Sequence, residues 1–295
     1  METLKILTWN LGYGAMGADA DISLEGGKRF IPSPSKAIVK NIAGFKKFIA
    51  ETKADVYLLQ ELSNGSLLNR WHNVRKAVRE ALPNHHQSSI SNFALPLFFD
   101  FLRNEHGMGT FVDECFSVLK RRVQLFNAGE YYYRIVPRWD YALTMLAERK
   151  GGKPIVMVNT HLSSFDQKGA IRISQFLELI AYVRRLNKKG FPVVVGADWN
   201  LHEGEVTFCG EDESHYKKYV HGFPHHLLPK GWRAYFPTNA PTLRAGNRPF
   251  VNGESTTFTV DGFICSPEIQ VKDVIAHDLG FAHSDHNPVE ITISY

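Results

Sequence analysis

The stretch PVVVGADWN, residues 192–200, joins an apolar run to a polar end. Three consecutive valines before a glycine and an alanine are typical of a buried strand. The run ends on Asp198 and Asn200. One such end carries little information, because polar residues finish most strands. The same arrangement recurs along the chain, however, and the recurrence predicts both the fold and the site.

Seven other apolar runs have the length and the composition of strands. They are KILTWNL (5–11), DVYLLQEL (55–62), FSVLKR (116–121), YALTMLAE (141–148), PIVMVNTHL (154–162), FTVDGFIC (258–265) and VEITISY (289–295). Apolar residues recur at helical spacing in residues 35–53, 67–83 and 169–190. Gly151-Gly152 predicts a tight turn between two of the strands. This mixture predicts a layered α/β sandwich with mixed sheets.

Length and composition predict a single domain over residues 1–295. The chain has 44% hydrophobic and 22% charged residues, which is ordinary for a globular protein. No repeat or linker divides it, although residues 84–115 and 204–256 are irregular and predict long loops. Its 3 cysteines show no CxxC spacing, so the sequence predicts reduced thiols and no zinc site.

The sequence also sets expectations for location and partners. No apolar run is long enough for a transmembrane segment, and METLKILTWN lacks the features of a signal peptide. We therefore expect a cytoplasmic protein. A net charge of +4 permits a polyanionic partner without requiring one. The oligomeric state stays open.

Polar residues suited to metal or phosphate chemistry stand where the apolar runs stop. They are Asn10, Glu61, His161, Asp198, Asn200, Asp261, Asp285 and His286. Strand ends of α/β folds converge on one edge, where binding sites usually form. A whole series of this kind is more than strand capping requires, so we expect these side chains to form one site.

The motifs TWNLG, LLQEL, NTHL, GADWN, VDGF and SDHNPV, in this order, resemble those of the endonuclease/exonuclease/phosphatase superfamily. That superfamily includes DNase I, apurinic endonucleases, inositol polyphosphate 5-phosphatases and neutral sphingomyelinases. GADWN departs from the usual GDFN but keeps the spacing of Asp198 and Asn200. Gly12 stands where the apurinic endonucleases carry an aspartate. The resemblance implies a DNase I-like fold, a four-layered α/β/β/α sandwich of two mixed β-sheets.

The resemblance further implies a metal-dependent hydrolase of phosphate esters. Asn10, Glu61 and Asp285 would hold Mg²⁺, with Mn²⁺ as an alternative, since oxygen ligands suit such ions. His286 would be the general base, and Asp261 would orient it.

Three further residues would act on the phosphate. His161 would donate a hydrogen bond to a phosphate oxygen. Asp198 and Asn200 would position the phosphate or the nucleophile, and Asp198 is also a candidate for protonating the leaving group. A simple turn at Asp261-Gly262 is the less favoured alternative for Asp261.

Two arginines are predicted to bind the substrate. Arg138 resembles an arginine that contacts phosphate in DNase-like members, and the alternative is a surface ion pair with Asp140. Arg244 suits bidentate phosphate contact, with Arg248 close by, and the alternative is a solvated loop charge.

Three functions are compatible with these residues. The first is a phosphodiesterase of the nuclease type, with nucleic acid as substrate. The second is a phosphomonoesterase or lipid phosphodiesterase for an inositol phosphate or a sphingomyelin-type headgroup. The third, a non-catalytic binding module, is disfavoured by the complete set of polar residues. A nuclease should show a continuous basic groove, and a lipid enzyme an exposed apolar loop.

Overall fold

The computed structural model describes residues 3–94, 105–132, 136–210 and 212–295. The strands are β1 (Thr3–Asn10), β2 (Val56–Gly65), β3 (His85–Ala94), β4 (Glu105–Asp113), β5 (Phe116–Leu125), β6 (Glu130–Tyr132), β7 (Val136–Arg138), β8 (Tyr141–Arg149), β9 (Pro154–His161), β10 (Val193–Asp198), β11 (Arg233–Tyr235), β12 (Leu243–Arg244), β13 (Thr257–Phe258), β14 (Asp261–Cys265), β15 (Gln270–Ala276) and β16 (Val289–Ser294). The helices are α1 (Ser35–Thr52), α2 (Val74–Ala81), α3 (Ala170–Asn187) and α4 (Asp212–Tyr216).

Twelve of these strands form two large sheets. Sheet I has the order β15-β16-β1-β2-β4-β3, and sheet II has the order β11-β14-β10-β9-β8-β5. β1 runs parallel to β2, and β9 runs parallel to β10. The other neighbours pair antiparallel. Both sheets are therefore mixed, as predicted.

Sheet I is apolar on both faces. Alternate residues of a strand point to opposite sides, and in β1 both sets include apolar residues. In β1, Leu4 and Ile6 belong to the core between the sheets. Leu7 and Trp9 pack instead with Phe45 of α1. The helix layer of α1 and α2 therefore covers one face of sheet I, and sheet II covers the other.

Sheet II repeats this alternation. Val194 and Phe263 lie in the core between the sheets, whereas Val195 and Ile264 pack with Phe176 of α3. The order of layers is helices, sheet I, sheet II and helix. This confirms the four-layered sandwich that the sequence resemblance implies.

The core between the sheets becomes polar toward one edge. The Gln60 side chain donates hydrogen bonds to Asn159 Oδ1 at 2.8 Å and to Thr8 Oγ1 at 3.0 Å. Asn159 Nδ2 donates to the carbonyls of Leu59 at 3.1 Å and Gly109 at 3.0 Å. The Gln60, Asn159 and Thr8 side chains are buried. They separate the apolar core from the strand ends beyond.

The prediction of a long loop over residues 84–115 is wrong for most of that segment. β3 and β4 pair antiparallel there, from His85 with Asp113 to Ala94 with Glu105. Polar and aromatic residues in β3, the edge strand of sheet I, and in its neighbour β4 obscured the alternation that marks a strand. Residues 95–104, the apolar part of the segment, lie outside the described residues.

The helix predicted over residues 67–83 begins only at Val74. Asn73 caps it, since the Asn73 side chain accepts a hydrogen bond from the Lys76 amide at 2.7 Å. Asn69 holds the preceding residues in a turn by accepting from the Ser66 amide at 2.8 Å. Two local side-chain bonds thus replace the first turns of the predicted helix.

The other two predicted helices, α1 and α3, are confirmed within a few residues. Within the described ranges, no helix is both long enough and apolar enough to cross a membrane. Among its described residues, the long loop predicted over 204–256 contains α4, a short 3-10 helix (His225–Leu227) and the short strands β11 and β12. The prediction of one domain over 1–295 stays a prediction.

Gly196 of β10 packs closely against side chains from both sheets. A Cβ at this position would lie 2.6 Å from Leu58 Cδ1 and 2.8 Å from Phe263 Cε1. We expect Gly196→Ala to lower the free energy of unfolding by about 1–3 kcal/mol, because overpacking a core displaces its neighbours. Urea denaturation measures this change. Gly222→Ala is the matched control, since a Cβ there meets nothing within 4 Å. Equal losses in the two variants would contradict the close packing.

Candidate active site

The strand ends of sheet II place three predicted residues side by side. Asp198 at the end of β10 is in register with His161 of β9 and with Asp261 of β14. Asp198 follows Val194 at an even interval, and Asp261 precedes Phe263 in the same way. All three polar positions therefore continue the face that forms the core between the sheets. The alternation that buries the core also aims these side chains into the space beyond it.

His286 lies between two of these carboxylates. Its Nδ1 is 2.8 Å from Asp261 Oδ2, and its Nε2 is 3.6 Å from Asp198 Oδ2. The Trp9 indole donates a hydrogen bond to the His286 carbonyl at 2.8 Å, and the His286 amide donates to Ser284 Oγ at 3.2 Å. Both the ring and the backbone of His286 are thus held in place.

Charge around His286 favours its protonated form in the absence of other ions. Burial acts to lower the pKa of the imidazole, but Asp261 and Asp198 together raise that pKa well above its ordinary value. Burial raises the pKa of the Asp261 carboxyl to about 6, against the opposing effect of His286. The charge of each of these two groups therefore shifts the pKa of the other.

Asp198 is the most heavily hydrogen-bonded carboxylate of the site. Its Oδ2 accepts from Asn10 Nδ2 at 2.9 Å and lies 3.3 Å from His161 Nε2. Its Oδ1 accepts from the Asn200 amide at 3.0 Å. Burial acts to raise the pKa of Asp198, but His161, His286 and these hydrogen bonds lower it below its ordinary value. Asp198 is therefore ionised.

His161 and Asn200 flank that carboxylate. Burial lowers the pKa of the His161 imidazole to about 3, so His161 is neutral at pH 7. Asn200 has a positive φ of 49°. Its Nδ2 donates to the Leu162 carbonyl at 3.0 Å, which ties the ends of β9 and β10 together.

Glu61 reaches the site through an irregularity of β2. Strict alternation would place Glu61 with Leu59, on the helix side of sheet I. The pairing with β4 shifts between Leu59 and Leu62, and Glu61 has a φ of 52°. Such bulges redirect a side chain. Glu61 consequently lines the same cavity as Asp198 and His286.

No described residue donates a hydrogen bond to the Glu61 carboxylate. Burial, followed by the charge of Asp285, raises the pKa of Glu61 to about 8. Burial also raises the pKa of Asp285, whose Oδ1 accepts a hydrogen bond from Ser284 Oγ at 3.2 Å. Two neighbouring buried carboxylates with too few donors are what a divalent cation would neutralise.

Gly12 completes this end of the site by having no side chain. A Cβ there would lie 2.7 Å from Asp285 Oδ1 and 2.6 Å from Met16 Cβ, and the φ of Gly12 is 50°. Its amide donates to Asn10 Oδ1 at 2.9 Å. The aspartate that apurinic endonucleases carry at this position therefore has no room in this chain.

The donor set fits a metal ion. The predicted ligands Asn10, Glu61 and Asp285 all line one cavity of about 370 Å³. The ligand atoms that lie closest together, within 4.8 Å, belong instead to Asp198, Asp261 and His286. Because His286 Nδ1 is already paired with Asp261, that closeness reflects a hydrogen-bonded pair. Glu61 and Asp285, whose carboxylates receive fewer hydrogen bonds than that of Asp198, are the better ligands.

Arg138 is buried beside the site. Its Nε lies 2.9 Å from Asp140 Oδ1, and its Nη1 donates to Ser164 Oγ at 3.1 Å. The ion pair considered as an alternative therefore exists, but it is buried and does not lie on the surface. The Arg138 charge acts to lower the pKa of both Glu61 and His161, so Arg138 acts on the site electrostatically.

The structure does not support the prediction that Arg244 grips a phosphate. Its side chain is 0% exposed, so it is not a solvated loop charge either. Its two terminal nitrogens donate to the backbone carbonyls of Met16, Gly17, Ala20, Ala245 and Arg248. Arg244 therefore joins two loops at the back of the cavity. The sequence around Arg244 indicates only an arginine in a polar loop and gives no sign of these hydrogen bonds.

Much of the cavity wall is formed by residues that were not predicted from the sequence. Glu25, His106 and Tyr216 line it and come from segments without a recognisable motif. Glu25 Oε2 accepts from the Gly246 amide at 2.8 Å and from the Tyr216 hydroxyl at 3.1 Å. No periodicity or spacing in the sequence indicates these contacts, because they join residues about two hundred positions apart.

Comparisons with known proteins agree with this fold. The model of the "Endonuclease/Exonuclease/phosphatase family" matches residues 7–286. No curated protein matches the chain. Truncated TDP2 of Caenorhabditis elegans is similar in structure, with a TM-score of 0.64 at 15% identity over 99% of this chain and 98% of that one.

Two other solved structures share the fold. One is an endonuclease/exonuclease/phosphatase from Beutenbergia cavernae, with a TM-score of 0.69 at 14% identity over 99% of this chain and 72% of that one. The other is the human Nocturnin catalytic domain with bound sulfate anion, with a TM-score of 0.61 at 15% identity over 99% of this chain and 94% of that one.

The partner set of Arg244 predicts a structural role. We expect Arg244→Ala to lower the free energy of unfolding by about 3–5 kcal/mol, because several buried carbonyls lose their donors. Urea denaturation in EDTA measures this loss without any contribution from metal or substrate. Arg248→Ala is the control, since the Arg248 side chain is 40% exposed, and we expect a much smaller change. A stable Arg244→Ala protein with impaired catalysis would restore the phosphate-binding interpretation.

Proposed function

Since this chain belongs to the endonuclease/exonuclease/phosphatase family, we propose that it is a metal-dependent phosphodiesterase that activates water at His286. The observation that carries the proposal is the 2.8 Å pairing of His286 Nδ1 with Asp261, which leaves Nε2 directed into a cavity lined by carboxylates. A histidine held in this way is suited to accept a proton from water when a bound cation offsets the carboxylate charge that otherwise favours its protonated form. Imidazole works near neutral pH.

Asp261 has a positioning role in this proposal. By accepting a hydrogen bond from Nδ1, its carboxylate selects the tautomer in which Nε2 carries the lone pair. It also stabilises the imidazolium that forms when His286 takes the proton.

Asn10, Glu61 and Asp285 would hold the metal, which we propose to be Mg²⁺, with Mn²⁺ as an alternative. A bound divalent cation would supply positive charge that stabilises the phosphate oxygens in the transition state. Asn10 Oδ1 accepts from the Gly12 amide and keeps a second lone pair for this purpose. Glu61 has no competing hydrogen bond.

Asp198, Asn200 and His161 would position the phosphate and the attacking water. Asp198 accepts hydrogen bonds that favour its ionised form. An ionised carboxylate orients water or a histidine and is unsuited to protonate a leaving group. We therefore favour positioning as the role of Asp198.

The substrate class is the finer part of the proposal. The sequence favours nucleic acid as the substrate, and the expectation of a cytoplasmic protein is compatible with that substrate. Among the described residues that line the cavity, the guanidinium groups are those of Arg172 and Arg244. Arg172 donates to the carbonyls of Asn200 and Asp166, and Arg244 is occupied as described. Because these arginines are engaged with backbone carbonyls, the lining supports a second candidate substrate, a lipid phosphodiester.

Removal of the Glu61 charge tests the metal. We expect Glu61→Gln to weaken Mg²⁺ binding and to reduce turnover sharply, because glutamine keeps the size but lacks the charge. Calorimetric titration with Mg²⁺ measures binding apart from activity. Glu254→Gln, an exposed site, is the control. Undiminished Mg²⁺ affinity and turnover in Glu61→Gln would exclude this ligand.

Substitution of the two histidines before β16 tests the base. We expect His286→Ala to reduce turnover by about 10²–10⁴, the usual contribution of proton transfer. Asp261→Asn should also reduce turnover, and the double variant should fall little below the worse single one. Single-turnover kinetics on bis(p-nitrophenyl) phosphate measures the step.

His283→Ala is the control for this series. His283 is half-buried, with its ring centroid 6.5 Å from that of Phe45 on α1. We expect its loss to change stability slightly and turnover little. Loss of turnover in His283→Ala together with normal turnover in His286→Ala would contradict the assignment of His286 as the base.

A further inference from the structure

We propose that the substrate is an amphiphilic phosphodiester taken from an anionic lipid surface, and that the entrance of the cavity docks on that surface. This inference rests on the proposed function, because it names the substrate class of the same site. It is carried by the apolar wall of the cavity, by exposed apolar residues at its entrance and by basic residues beside them.

The cavity has two chemically different parts. One part holds the carboxylates and histidines of the site. The other is apolar, with buried side chains that include Ile22, Phe258 and Val260. Its volume of about 370 Å³ suits a small ligand or one end of a lipid. A phosphate bound at the polar part would therefore place its ester group against an apolar wall.

Three large apolar side chains that line the cavity also reach solvent. Leu24 is 38% exposed, Phe30 is 60% exposed and Phe165 is 37% exposed. We call these three residues the entrance residues. Exposed apolar groups that cluster at one opening mark a binding or membrane-contact surface. They come from two segments far apart in the sequence, which the fold brings to one opening.

Basic residues accompany the entrance. Lys28 and Arg29 precede Phe30, and Lys168 follows Phe165; all three basic residues are exposed. The exposed Lys218 lies over the ring of Tyr219, which lines the cavity, with Nζ 5.1 Å from the ring centroid. Apolar residues that insert between headgroups and cations that attract anionic lipids are the combination found in proteins that bind membrane surfaces.

A polyanionic substrate fits the cavity less well. Nucleic acid carries a charge on each nucleotide, and binding it requires cations along the path of the backbone. The arginines that line the described cavity are instead engaged with backbone carbonyls. A single phosphate beside an apolar group makes no such demand. The lining therefore favours a lipid phosphodiester over a nucleic acid or an inositol polyphosphate.

Vesicle sedimentation tests the docking surface. We expect the full chain, in EDTA, to bind vesicles of equal parts phosphatidylserine and phosphatidylcholine more tightly than vesicles of phosphatidylcholine alone. Phe30→Ser with Phe165→Ser should weaken binding to the mixed vesicles by about tenfold or more, because two apolar rings no longer leave water. Leu177→Ser, 47% exposed on α3 and outside the entrance, is the matched control and should bind like the wild type.

A charge variant keeps the test independent of the phenylalanines. Lys28→Glu with Arg29→Glu should remove the preference for phosphatidylserine, whereas Lys153→Glu, at an exposed position in the turn before β9, should not. Absence of vesicle binding by the wild type, or binding that neither pair of substitutions changes, would overturn the proposal.

Hydrolysis separates this inference from the proposed function. We expect the wild type with Mg²⁺ to cleave sphingomyelin or lysophosphatidylcholine in mixed vesicles faster than plasmid DNA or single-stranded RNA. Cleavage of bis(p-nitrophenyl) phosphate together with nucleic acid but not with either lipid would overturn the lipid assignment and leave the phosphodiesterase intact. Failure to cleave any of these esters would refute the phosphodiesterase itself, and the lipid assignment with it.

Discussion

The hydrogen bond between Gln60 of sheet I and Asn159 of sheet II fixes where the dry core ends. Gln60 Nε2 donates to Asn159 Oδ1, and Asn159 Nδ2 donates to two backbone carbonyls of sheet I, so neither sheet can shift without leaving a buried donor unpaired. This constraint sets the separation and the register of the sheets. It thereby brings Asn10 and Glu61 from one sheet to face Asp198 from the other. The position of the site is a consequence of how the two sheets meet.

That position concentrates negative charge in a place with little water. The site holds four partly or fully buried carboxylates: Glu61, Asp198, Asp261 and Asp285. Burial acts to raise the pKa of each and so opposes its ionisation. The fold tolerates them because the surrounding sheets are extensive, and because His286 offsets part of the charge. Stability is given up locally for an arrangement that can hold a cation and move a proton.

Alternation along the strands was readable from the sequence, and so were the residues that end on the inward face. Asp198 and Asp261 follow directly from it. Glu61 reaches the site only through a shift in strand pairing, which no pattern in DVYLLQEL indicates. Arg244 and the cavity wall depend on contacts between distant loops, so local composition was uninformative there. β3 lies at the edge of sheet I, where a weaker burial requirement leaves a weaker pattern. β4 lies inside the sheet, but the glycines and polar residues of EHGMGTFVD obscure its alternation.

The pairing of β16 with β1 has a consequence for biosynthesis. Ile6 lies opposite Ile291, and the loop before β16 carries Asp285 and His286. A nascent chain emerging from the ribosome therefore holds most of its sheets before it holds a working site. Contacts of such large sequence separation also form slowly. Chains that end before β16 would lack the strand that pairs with β1 beside Asp285 and His286, so the proposed site would not form.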